Sequence, residues 1–165
     1  MVNIDLSDSQ WAQASLPMNK GGLGIRLAFH LAPSAFLASA LGTKLLQDAI
    51  LHGCSADVDV SVDNALSFWS AGRNLCMPPL TSAGSQRSWD NPIVLFEHRR
   101  LVESLPKTSD RARLLAVSAP RSGDWLHALP IASCGLFLED EAISVAVGFR
   151  LGAKTCEPHL CPCGV

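Results

Sequence analysis

Apolar residues recur along most of this chain three and four positions apart, the period of an amphipathic α-helix, and Gly or Pro separates one run from the next. Ser7 or Asp8 is placed to cap a short helix through Trp11. That helix must stop near Leu16, because Pro17 keeps the residue before it out of helical backbone. Lys20, Gly21, Gly22, Leu23 and Gly24 read as a flexible turn. A second helix is expected from Ile25, with Pro33 starting or kinking its second half and Gly42 closing it. Ala32, Ser34, Ala35, Ala38, Ser39 and Ala40 surround Phe36, Leu37 and Leu41, a pattern that predicts a buried helix which another backbone can approach closely. Thr43 can cap a third helix, with Leu45, Leu46, Ala49 and Ile50 on one face and Gly53 beyond its end.

From Asp57 to Asp63 polar and apolar residues alternate with a period of two, which locally suits an edge strand or an extended approach to a helix. The approach is the reading taken: Ser61 or Asp63 caps a helix with Val62, Leu66 and Trp69 on one stripe, ending at Gly72. A Pro-, Ser- and Gly-rich loop is expected from Met77 to Ser88. After Pro92 a stronger helix places Val94, His98, Leu101 and Leu105 on one face, with Glu97 and Arg100 able to pair. Pro106 ends it. Ser109 or Asp110 then caps a helix through Ala116, stopped by Pro120. The last helix starts near Asp140, turns Ile143, Ala146, Val147 and Leu151 inward and ends at Gly152, with Arg150 well placed against the helix dipole. His98 and His127, among apolar neighbours, read as core histidines. The expected fold class is therefore mainly α: an irregular helical domain of about six to eight helices over residues 1–153, followed by a loop-rich C-terminal tail over 154–165.

Composition agrees with a folded domain. Of 165 residues, 48% are hydrophobic and 17% charged, below the usual charged fraction of about 25%, so the chain is not of the disordered type. At this length roughly 70% of the unfolded surface can be buried, enough for a core without disulfide or metal. The net charge of −2 excludes a polybasic, histone-like protein. The charge is uneven all the same: residues 87–121 carry 7 basic and 4 acidic groups, between acidic flanks. Met1 to Gln10 is acidic and lacks the apolar run of a secretory signal. Leu27 to Thr43, the most apolar stretch, contains His30 and Pro33 and falls short of a membrane span. These features predict an intracellular protein of nucleus or cytoplasm with no membrane partner. Its six Cys are then expected reduced, buried or metal-bound.

Familiar catalytic motifs are missing. There is no Gly-x-Ser-x-Gly elbow, Gly22 and Gly24 lack the third glycine of a dinucleotide fingerprint, and Gly42-Thr43-Lys44 is no phosphate loop. Asp57, Asp59 and Ser61 begin like a calcium loop, but Val62 stands where the turn needs Gly and Phe68 where the bidentate Glu belongs. The tail is more pointed. Cys156, His159, Cys161 and Cys163 lie within eight residues, among the turn formers Pro158, Pro162 and Gly164. Thiolate and imidazole are the donors zinc selects. Four so close together cannot all reach one ion, so two would serve with ligands from elsewhere, making an incomplete zinc site. The alternative is a frayed terminus with free thiols. In the basic centre Arg99, Arg100, Lys107, Arg111 and Arg113 could face a phosphate backbone from two consecutive helices, or simply form a solvated helix face.

Two sets of blocks carry a resemblance. The first is Trp11-Ala-Gln-Ala-Ser-Leu-Pro17, Gly21-Gly-Leu-Gly-Ile-Arg26 and Leu31-Ala-Pro-Ser-Ala-Phe-Leu-Ala-Ser39. The second is Ser118-Ala-Pro-Arg-Ser-Gly-Asp-Trp-Leu-His-Ala-Leu-Pro130 with Val147-Gly-Phe-Arg-Leu-Gly152, running into the Cys/His tail. In order and spacing they resemble the region downstream of the palm in reverse transcriptase-like proteins of non-LTR retrotransposons. The resemblance covers residues 11–41 and 115–164; residues 50–110 match in length and helical character alone. It implies a thumb-like helical connector over 1–153 that lies against template–primer nucleic acid, with the Gly21 to Gly24 turn at its entry. It also implies the first half of a zinc knuckle in Cys156, His159, Cys161 and Cys163, and palm and fingers of a parent polymerase as partners. Lys20 and Arg26, which bracket the turn, join Arg99, Arg100, Arg111 and Arg113 as candidate nucleic-acid contacts. No aromatic-x-Asp-Asp motif occurs, so the carboxylates that would hold catalytic magnesium belong to a full-length parent. The expectation is thus a noncatalytic fragment of an RNA-directed DNA polymerase. The alternatives are a structural helical interaction module and a small zinc-binding domain.

Overall fold

The computed structural model describes residues 5–51 and 60–155. These form α1 (Asp8–Ser15), α2 (Ala28–Gly42), α3 (Lys44–Ile50), α4 (Val60–Ser70), α5 (Gln86–Ser104), α6 (Thr108–Val117) and α7 (Asp140–Leu151), joined by loops with short 3-10 turns. Among the described residues there is no strand, and the protein is mainly helical. Where the periodicity suggests one helical domain over residues 1–153, the helices gather into two compact units: Arg26–Arg99, and Met1–Ile25 together with Arg100–Val165. The chain passes from one to the other at Ile25–Arg26 and again within α5.

The unit of residues 26–99 is built on two tryptophans. Leu37 and Ala38 of α2, Trp69 of α4, Ala83, and Trp89 and Ile93 of α5 form its buried core, with Leu41, Val62, Leu66 and Leu75 packed against them. The indoles of Trp69 and Trp89 meet edge to face, 5.1 Å apart at 82°, the arrangement their quadrupoles favour. Each buried indole N–H has an acceptor: Trp69 donates to the Trp89 carbonyl at 2.9 Å and Trp89 to the Ala83 carbonyl at 2.7 Å. The close backbone approach expected of the small-residue helix is made by its last glycine. A Cβ on Gly42 would lie 3.0 Å from the Gly84 Cα. At the edge of the unit Arg73 pairs with Glu97 at 3.3 Å and lies 5.9 Å from the centre of the Phe96 ring.

Several sequence-based boundaries shift. α2 begins at Ala28, not Ile25, and only Ser34, Leu37 and Ala38 on it are buried; Phe29 and Phe36 are exposed. The small residues thus serve one stripe instead of covering the helix all round. α3 forms where predicted, yet Leu45, Leu46 and Ile50 are exposed, Leu45 at 86%. Thr43 does not cap it: its hydroxyl turns back to the Ser39 carbonyl at 2.8 Å. α5 begins at Gln86 inside the expected loop and holds Pro92 in its interior. An interior proline costs about 3 kcal/mol, which the burial of Trp89 and Ile93 on either side offsets. α4 starts at Val60, so Ser61 and Asp63 lie inside it rather than before it. Gly53 and the segment 57–59 lie outside the described residues.

The second unit has its apolar core in Leu16, Leu101, Leu105 and Leu114, with Ala12, Val102 and Val117 against them. The predicted start of α1 is met in full by a capping box. Ser7 Oγ accepts from the Gln10 N–H at 3.4 Å, and Gln10 Oε1 accepts from the Ser7 N–H at 2.9 Å. Ser7→Ala should therefore lower stability by about 1 kcal/mol; an unchanged urea midpoint would remove the cap from the account. α6 starts at Thr108 without a side-chain cap, ahead of Ser109 and Asp110. α7 matches its expected span, closed by Gly152 at φ 68. Ile143, however, is exposed, as is His127 in the 3-10 turn Asp124–His127.

Candidate functional site

Arg150 is the most deeply placed charge in the second unit, 4% exposed on the last turn of α7. The sequence pattern gives it one role, against the helix dipole. Instead its guanidinium fans inward to three carbonyls: Nε to Gly22 at 3.1 Å, Nη1 to Ser122 at 3.1 Å and Nη2 to Met18 at 2.6 Å. A planar fork with five N–H donors can hold three backbone segments at fixed angles, which a lysine cannot. Burial pushes its pKa below the ordinary arginine value; an arginine remains charged even so.

A second layer completes the knot. Gln13 Nε2, from buried Gln13 on α1, donates both to the Gly21 carbonyl and to the Arg150 carbonyl, each at 2.9 Å. Arg113 of α6 donates through Nη1 to Gln13 Oε1 at 3.0 Å and to the same Arg150 carbonyl. Gln10 Nε2 reaches the Gly152 carbonyl at 2.7 Å. The glycine turn must come close for this to happen. Gly21 adopts φ 82, and a Cβ on Gly22 would lie 1.9 Å from the Leu16 carbonyl oxygen, so no other residue fits there without moving the backbone.

Placement of the six candidate basic residues is therefore uneven. Arg113 turns inward: its Nε is buried, and burial lowers its pKa against an opposing pull from Asp110. It belongs to the knot rather than to a phosphate-facing surface. Arg26 pairs with Asp90 at 3.5 Å. Arg111 is exposed but spends one Nη2 donor on the Leu105 carbonyl at 3.2 Å. Arg99 and Arg100 are exposed on α5, and Lys20 is half-buried at the end of the 3-10 turn Met18–Lys20. Arg26 and Arg99 belong to one unit, Lys20, Arg100, Arg111 and Arg113 to the other. The proposed metal ligands Cys156, His159, Cys161 and Cys163 lie outside the described residues. Among the described residues no three His, Cys, Asp or Glu gather as a metal ion would need, and no helix is long and apolar enough to cross a membrane.

The roles of Gln10 and Gln13 escape the periodicity. One signal for the knot was present: Arg150 stands in an apolar run, Val145 to Leu151, where a charge needs buried partners. No protein-family model, no curated protein and no solved structure matches the chain.

Proposed function

We propose that this chain is a noncatalytic, thumb-like region of a retroelement RNA-directed DNA polymerase that contacts template–primer nucleic acid through basic side chains. One observation supports the reading above others: four of the five blocks behind the resemblance, within residues 11–26 and 118–152, meet at Arg150, while Leu31–Ser39 belongs to the other unit. Gln13 comes from the Trp11–Pro17 block, Gly21 and Gly22 from the glycine block, Ser122 from the Ser118–Pro130 block, and Arg150 from the last. Their separate sequence signatures thus serve one packing unit, as parts of a single module would. The contact set in this proposal is Lys20, Arg26, Arg99, Arg100 and Arg111, without Arg113. Cys156, His159, Cys161 and Cys163 are proposed to supply part of a zinc site to which the parent contributes the rest.

The test is anisotropy with a labelled RNA–DNA primer–template across a salt series. Log affinity should fall linearly with log salt, by about 0.9 per phosphate contact on a duplex. Reversing Arg99, Arg100 and Arg111 to Glu should flatten that slope with the unfolding midpoint preserved. Binding that ignores salt, or a slope untouched by the reversals, would overturn the reading. A second reading, a helical interaction module, draws on the exposed Leu45, Leu46 and Ile50 face of α3. It predicts that the chain self-associates and that Leu45→Glu with Leu46→Glu restores a monomer in sedimentation, with nucleic-acid binding unaltered.

A further inference from the structure

α7 is non-polar on both sides. Gly148, Arg150 and Leu151 turn into the second unit, while Ala142, Val145, Ala146 and Phe149 line an open hollow of about 560 Å³ on the other face, with Glu139 and Glu141 at its N-terminal end. Phe149 is 64% exposed and Val145 38%. A helix with apolar residues all round is ordinarily covered all round. Every described lining residue comes from α7 or its N-cap, so the hollow is a shelf without the enclosing walls that hold a small molecule. Residues four apart form its rows: Ala142 with Ala146 makes a low one, Val145 with Phe149 a high one. Low and high rows of this spacing are what the ridges of a second helix pack into.

We propose that this face of α7 docks an amphipathic helix of a partner polypeptide whose apolar stripe ends among basic side chains. The sign of the partner's charge comes from the lining itself. Glu139 and Glu141 are exposed and line the hollow, whereas no described basic residue does. Neither glutamate makes an ion pair among the described residues, and the one basic residue of α7, Arg150, points away into the knot. Carboxylates at the edge of an apolar face select a cationic partner and repel the phosphates of nucleic acid or anionic lipid. A second copy of the chain suits the face less well. One α7 laid antiparallel on another sets Glu139 and Glu141 over the negative end of a helix dipole, and laid parallel it sets acid on acid. The inference stands apart from nucleic-acid binding, since none of the proposed contact residues lies on α7.

The full chain, labelled with ¹⁵N, is titrated with two acetylated, amidated peptides of about 18 residues, long enough to hold a helix. Both carry the same leucine stripe; one has lysines beside the stripe at its C-terminal end, the other glutamates at the same positions. The lysine peptide should shift the amides of Ala142, Ala146 and Phe149 in a saturable way, leaving the Trp69 and Trp89 indoles in place. At low salt it should bind at least about tenfold more tightly than the glutamate peptide, a preference that added salt erodes. Glu139→Lys with Glu141→Lys should invert the preference. Phe149→Ala, at an exposed position, should weaken the lysine peptide about tenfold while the unfolding midpoint stays. Equal binding of the two peptides, or binding of neither, overturns the proposal. So does a dimer in sedimentation that Phe149→Ala dissolves, which would give the face to a second copy. If the charge reversal fails to fold, the peptide pair and Phe149→Ala decide.

Discussion

Replacing Arg150 with methionine is expected to lower the unfolding free energy by about 4 kcal/mol. Methionine keeps a long apolar stem, so the loss is not mainly one of volume. It comes from the carbonyls of Gly22 and Ser122, which lose the donors they now have at 3.1 Å, and from that of Met18, which loses its donor at 2.6 Å and keeps only the Gly21 N–H at 3.2 Å. A buried acceptor left without a donor costs roughly 1–3 kcal/mol, and here two are left so at once and a third loses its shorter bond, with some relief from entering water. Arg150→Lys should recover little, because one ammonium on a flexible stem cannot face three directions. Urea unfolding followed by far-UV circular dichroism checks this. A loss below about 1 kcal/mol would mean that the knot is a consequence of the packing rather than its cause.

Trp89→Ala should be the most damaging change in the other unit, at about 4–5 kcal/mol. The indole is fully buried, and three separate interactions depend on it or its position. Its N–H holds the Ala83 carbonyl, its ring meets the edge of Trp69, and its own carbonyl accepts the Trp69 N–H. Truncation removes the first two and opens a cavity beneath α2 and α4. The residue also sits three positions before Pro92, whose cost to α5 the core burial offsets. Fraying of the first turns of α5 should therefore accompany the loss, visible as faster amide exchange over residues 86–91. Trp89→Phe keeps most of the apolar area but not the N–H donor, and should cost about half as much. Unchanged exchange in this segment would show that α5 starts at Gln86 for another reason.

Much of the fold was written in local pattern. The 3.6-residue period located all seven α-helices among the described residues, and the signals that depend on neighbours along the chain held best: Ser7, one of two candidate caps, at the start of α1, Pro106 after α5, Gly152 after α7. The errors came where burial decides. The loop chemistry of Met77 to Ser88 is real, but Trp89 pulls the helix back through its last residues. The apolar face of α3 follows the helical period and still lies in solvent, because amphipathic spacing states which residues could be buried together and not whether anything is there to bury them.

By itself, then, the amino-acid order determined that this protein is helical, where its helices run and which residue types are available for chemistry. Only the tertiary structure decided that helices adjacent in sequence divide between two cores, that Arg113 and Arg150 face inward, and that two glutamines join them. The physical reason is range. Caps, turns and periodicity are set within about four residues, whereas the partners of Arg150 lie 28 to 132 residues away, and no local signal carries that distance.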